Sequence, residues 1–174
     1  EGGSFVNNSD WNGGALAVHA SSQQAQWQQS RVQAPKQTGF TIKSVLFQSN
    51  NALNAGGAIY LEVPQANLTG NTFETNAAST SGGAVYVPQR SCLDGLFVSD
   101  STFDGNKARN GGGLADDSGA ATVLQDNEFR RNKATRLGGG VYAKGTSMTI
   151  VGSHANGATS NALSENVAGV SGGG

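Results

Sequence analysis

One phrase recurs along this chain with near-constant internal spacing: Phe-x-x-Asn-x-Ala, then Gly-Gly, then a small residue and an aliphatic one. It reads Phe47, Asn50, Ala52, Gly56-Gly57-Ala58-Ile59, and again Phe73, Asn76, Ala78, Gly82-Gly83-Ala84-Val85. Two further copies are Phe103, Asn106, Ala108, Gly111-Gly112-Gly113-Leu114 and Phe129, Asn132, Ala134, Gly138-Gly139-Gly140-Val141. Weaker copies open the chain (Phe5, Asn8, Gly13-Gly14-Ala15-Leu16) and close it (Leu163, Asn166, Ala168, Gly172-Gly173-Gly174). Fixed spacing of this kind marks a solenoid, in which a unit buries its apolar side only by stacking on its neighbours.

The unit is a strand unit. Phe47, Phe73, Phe103, Phe129 and Leu163 are separated by 26, 30, 26 and 34 residues. A helical repeat of that length would carry a 3.6-residue apolar period, and a Gly pair in every copy would cost its helices about 1 kcal/mol per Gly. Here the apolar residues alternate instead, as in Ile59, Leu61 and Val63, and another precedes each Phe by five: Ile42, Leu68, Val98, Leu124, and Ala158 before Leu163. The expected fold is all-β: a right-handed parallel β-helix of about six coils with three short strands per coil.

Coils about 4.8 Å apart place equivalent residues on top of one another. Phe47, Phe73, Phe103 and Phe129 then form a ladder of rings inside the rod. Asn50, Asn76, Asn106, Asn132 and Asn166 form an inward ladder of amides, each bonding the next. Residues 1–174 read as a single β-helix segment, expected to belong to a longer rod or to stack end to end with another chain. Residues 17–41, Gln-rich, read as an irregular insertion within it.

The two motifs together resemble the repeats of the chlamydial polymorphic outer-membrane protein family. Four copies carry both in tandem, and the likeness covers the chain outside residues 17–41. The resemblance implies an exported right-handed β-helix acting as an adhesin, with no reaction carried by the repeat. Departures are Gly113 and Gly140 in place of the Ala of Gly-Gly-Ala, Leu163 in place of Phe, and Asp10 where the repeat wants Ala.

Candidate sites are few. The adjacent acids Asp116 and Asp117 are the best pair for a polysaccharide-acting β-helix enzyme, the alternative to a structural role. Asp117 falls in register beside Pro88 and Lys144, where a cross-coil salt bridge is the plainer account. Asp116 shares a column with Val18, Leu61, Val87 and Ala143; a buried carboxylate is costly, so a bulge turning it outward is expected. Calcium needs several clustered oxygens, and no Gly-Gly-x-Gly-x-Asp repeat exists. His19 and His154 are too far apart in coil to share a metal. Asp104 and Arg130 should meet across one coil step, whereas Lys107 and Lys133 stack as like charges, a small destabilisation rather than a binding patch.

Tyr60, Tyr86 and Tyr142 share an outward column, interrupted by Ala115, that could stack on sugar rings or simply stiffen the sheet. Trp27 in the Gln-rich stretch is the best single contact residue. Asn7 and Asn67 head N-glycosylation sequons (Asn7-Asn8-Ser9 and Asn67-Leu68-Thr69). Cys92, the single cysteine, reads as a buried thiol, with an intermolecular disulfide as the sharper alternative.

A net charge of −1 gives no reason to expect nucleic acid, and no apolar run is long enough to enter a membrane. No cofactor and no metal are expected. The reading is a non-enzymatic structural or adhesive module of a large secreted cell-surface protein or extracellular filament. Its partners would be other segments of the same rod, neighbouring chains, or host or matrix glycans; a glycan-binding module is the third possibility.

Overall fold

The computed structural model describes residues 2–19, 39–92, 94–145, 147–152 and 162–170. Every described element is a strand, and every pairing is parallel between successive turns of the chain. The fold is an all-β parallel β-solenoid. Two of its sheets hold six strands and two hold five, so the chain completes five circuits and begins another, slightly short of the six coils expected.

Each of the five completed coils has four described strands, not three. The fourth coil runs through Thr102–Asp104, Lys107–Asn110, Leu114–Asp116 and Ala121–Gln125. Sequence alternation merges Phe and Ala of the repeat into one extended piece, but a left-handed residue breaks it. Asn7, Ser49, Thr75, Gly105, Arg131 and Glu165, each just before the ladder Asn, have φ between 52° and 65°. A second such corner precedes the Phe strand at Ser44, Gly70, Asp100 and Asp126, with φ between 50° and 63°. A strand cannot run through a residue in that conformation.

Phe47, Phe73 and Phe103 are fully buried and Phe129 nearly so, in register down the first sheet. Their ring centroids are 5.1, 4.6 and 4.4 Å apart with planes within 20° of parallel, and Phe5 continues the stack at 5.2 Å. Ile59, Leu61, Val85, Val87 and Leu114 of the third sheet and Leu68, Leu96, Val98 and Leu124 of the fourth close the same core. Ala52, Ala78 and Ala108 of the second sheet form a separate small cluster.

The rod is pinched there because backbone meets backbone. Gly82 has φ 66°, and a Cβ on Gly83 would overlap the carbonyl oxygen of Gly112 in the next coil. The first glycine supplies the left-handed corner and the second supplies the close approach.

Two further expectations are corrected. Ala17–His19 pair in register with Tyr60–Glu62, and Phe40 and Thr41 with Ala66 and Asn67, so both ends of the 17–41 stretch are regular strand. The alternation of Leu16 with Val18 and of Phe40 with Ile42 carries them in. The Leu124 column also continues into Ile150, not Ala158, which lies outside the described residues. Ser147–Val151 alternates as a strand, so the extra length of the 34-residue spacing falls after it.

Candidate functional site

The inward asparagine ladder is structural and saturated. Asn76 Nδ2 donates to Asn106 Oδ1 at 3.0 Å and to the Phe47 carbonyl at 3.0 Å. Its Oδ1 accepts from the Asn50 backbone N–H and Asn50 Nδ2, both at 3.0 Å. Asn106 and Asn132 repeat the pattern, and Asn166 Oδ1 receives both bonds from Asn132. All four hydrogen-bonding positions of each central amide are used, which offsets its burial.

A second ladder runs just before the Phe strands. Val45 N–H donates to Asn71 Oδ1 at 3.1 Å, Asn71 N–H to Ser101 Oγ at 3.1 Å, and Ser101 N–H to Asn127 Oδ1 at 3.0 Å. Asn71 Nδ2 and Asn127 Nδ2 reach back to the carbonyls of Ile42 and Val98. Its signal was the small polar residue two positions before Phe73, Phe103 and Phe129.

Asp116 faces inward and is fully buried, with no bulge: Val87, Asp116 and Ala143 pair in regular register. The cost of burial is met by two donors that local alternation could not reveal. Ser118 N–H bonds Oδ1 at 2.8 Å and the buried Thr122 hydroxyl bonds Oδ2. Cys92 is also fully buried; burial, and then the nearby Asp116 charge, push its thiol up to about 12. That inaccessible, protonated sulfur is unsuited to an intermolecular disulfide.

Four outer faces remain. On the first sheet, Gln48 Nε2 donates to Glu74 at 3.1 Å, and Arg130 Nε lies 3.0 Å from Asp104. Arg131 grips the same carboxylate through Nε at 2.9 Å and through Nη2. Arg131 and then Arg130 hold the Asp104 carboxyl below its usual range, against a burial effect in the other direction.

The third sheet carries the tyrosines, all half-buried. Tyr60 and Tyr86 rings are 5.6 Å apart at 54°, and His19 tilts over Tyr60 at 5.6 Å while its Nδ1 meets Glu62 at 2.6 Å. Ala115 lies between Tyr86 and Tyr142 in register, leaving a gap in the row. Tyr86 OH donates to Asp117 Oδ2 at 3.0 Å. Burial, then Asp117, raise the Tyr86 phenol well above its ordinary value; burial, then Glu62, raise Tyr60.

The outward column of the second sheet pairs Lys107 with Lys133 directly, an arrangement that costs a few tenths of a kcal/mol at this exposure. Arg109, Thr135 and Arg136 lie exposed on the same strands. Toward the first coil, this sheet exposes Trp11 (63%) and Leu53 (57%), an apolar spot that the repeat pattern passed over.

Asn7 is exposed at a corner, and Asn67 is half-buried on the fourth sheet between Thr41 and Phe97. Trp27 and His154 lie outside the described residues. Among the described residues, no group of three or more His, Cys, Asp and Glu side chains could hold a metal ion, and no helix is long and apolar enough to cross a membrane.

In comparison with known proteins, residues 44–62 match the family model of the Chlamydia polymorphic membrane protein repeat. The matched stretch begins at the Ser44 corner and takes in Phe47, Asn50, Ala52 and Gly56-Gly57 before ending on the third strand of the coil at Glu62. No curated protein and no solved structure matches the chain.

Proposed function

We propose that this solenoid of polymorphic-membrane-protein-type repeats is a non-enzymatic structural and adhesive module of a secreted, cell-surface protein or extracellular filament. The observation that carries the reading is the repeat itself. A stretch matching a membrane-protein repeat is stacked into a rod whose two inward polar ladders hold successive coils together.

The side chains that a polysaccharide-cleaving site would have to gather are separately engaged. Asp116 is inside, Asp117 accepts from Tyr86, and Arg130 and Arg131 hold Asp104. The companion proposal is that its partners are other segments of the same rod or neighbouring chains. Asn7 and Asn67 are the positions proposed for glycans where the source glycosylates.

Beads coated with the chain should be retained on cell or matrix surfaces above albumin-coated beads. Retention no better than albumin removes the adhesive half of the proposal.

A further inference from the structure

We propose that the outward face of the second sheet, over the fourth and fifth coils, binds a linear polysaccharide bearing sulfate or carboxylate groups through Lys107, Arg109, Lys133 and Arg136. The inference rests on the adhesive reading above and names its ligand class.

Charge on this rod is sorted by face. Arg130 and Arg131, on the neighbouring first sheet and at its corner, are matched by Asp104 and Glu128. The four cations of the second sheet have no ion pair or side-chain hydrogen bond among the described residues. All four are exposed. Lys107 and Lys133 face each other in register, about 4.8 Å apart, and Arg109 stands two residues along its strand, about 6.8 Å away.

The register shift between Ala108 and Asn110 adds a residue to the facing strand Lys133–Leu137. Thr135 and Arg136 are both exposed as a result, so the irregularity adds a cation to the face. Below it, buried Ala108 and Ala134 and the tight glycine approach fix the backbone, so the cations stand on a rigid plate.

Guanidinium forks and ammonium groups on such a plate suit the oxyanions of a sulfated or uronic-acid chain, with Arg taking two oxygens at once. No aromatic side chain stands on Lys107–Asn110 or Lys133–Leu137 to stack a nucleobase, which disfavours single-stranded nucleic acid. The patch is small, and the whole chain carries a net charge of −1, so a duplex or an anionic bilayer would meet repulsion beyond it.

The test is calorimetric titration of the purified chain with a size-defined heparin oligosaccharide, its desulfated counterpart, a short DNA duplex and phosphatidylserine vesicles. The parent should bind heparin with salt-sensitive affinity. Neutralising all four residues to Gln should weaken binding about tenfold or more. R109Q/R136Q should give part of that loss, and a control with Lys43, Arg90 and Lys144 changed to Gln should bind as the parent does. The quadruple variant should melt no lower than the parent, because it loses like-charge repulsion.

No heparin binding by the parent, an equal loss in the control, or duplex or vesicle binding as tight and as dependent on the four residues would each overturn the assignment. Bead retention separates the two proposals. Retention that survives the quadruple change overturns this face and spares adhesion, whereas heparin binding without retention spares this face and removes adhesion.

Discussion

Phe103 is fully buried between Phe73 and Phe129, with ring centroids 4.6 and 4.4 Å away. Neither neighbour can move inward to fill a hole, because each is fixed by its own strand pairing. Phe103→Ala should therefore cost about 3–5 kcal/mol in chemical denaturation. Glu74 lies on the outward side of the same sheet and makes a 3.1 Å bond to Gln48, so Glu74→Ala should cost less than about 0.5 kcal/mol. Comparable losses from the two would contradict an inward ring stack. At this scale the Asn ladder does a different task from the rings. Each amide ties the backbone N–H of the preceding coil to its own side chain, so a one-step slip of one coil against the next would leave buried amides unpaired.

Corners define the elements. At the corners before the first and second strands of each coil a left-handed residue ends the preceding strand, and the residue after it is a ladder Asn except at Val45 and Ser101. Gly83 and Gly145 separate the two reasons for glycine. Gly145 has φ 68° with open space around it, so Gly145→Ala should cost only the conformational strain, about 1 kcal/mol. Gly83 has no positive φ, but its Cβ would enter the Gly112 carbonyl and the Lys107 backbone. Gly83→Ala should push two coils apart and lower the melting temperature far more than Gly145→Ala. Equal shifts would mean that the pinch between the second and third sheets does not bear on stability.

Over the whole molecule, stability should be close to a sum of coils and coil–coil interfaces. Deleting Phe103 to Glu128 removes 26 residues, the separation of Asn106 from Asn132, and brings Phe129 onto Phe73 and Asn132 onto Asn76. The shortened chain should keep a β-type circular dichroism spectrum and a cooperative melt at a reduced temperature. A deletion two residues shorter should not, since it carries the Phe and Asn columns out of register. If both deletions fold equally well, the columns are not what aligns the coils.

The architecture was legible because the same few residues return at the same depth in every coil. Phe, Asn, Ala and Gly-Gly carry a burial, an amide bond, a thin wall and a close approach that no other residue types satisfy together. The rest depended on neighbours outside the repeated columns. Asp116 looked misplaced beside Leu61 and Val87 because its partners, Ser118 and Thr122, reach it only after the chain turns a corner. Asn71 and Asn127 fall outside the repeated phrase, and only stacking makes them a second ladder. Lys107 and Lys133 read as a minor repulsion, and only the extra residue in the facing strand put Arg136 on the same plate with Arg109. A repeated pattern encodes contacts along the rod axis, where equivalent residues meet. What meets around the coil, between unlike residues, is set by where the corners fall, and that is decided by the folded backbone.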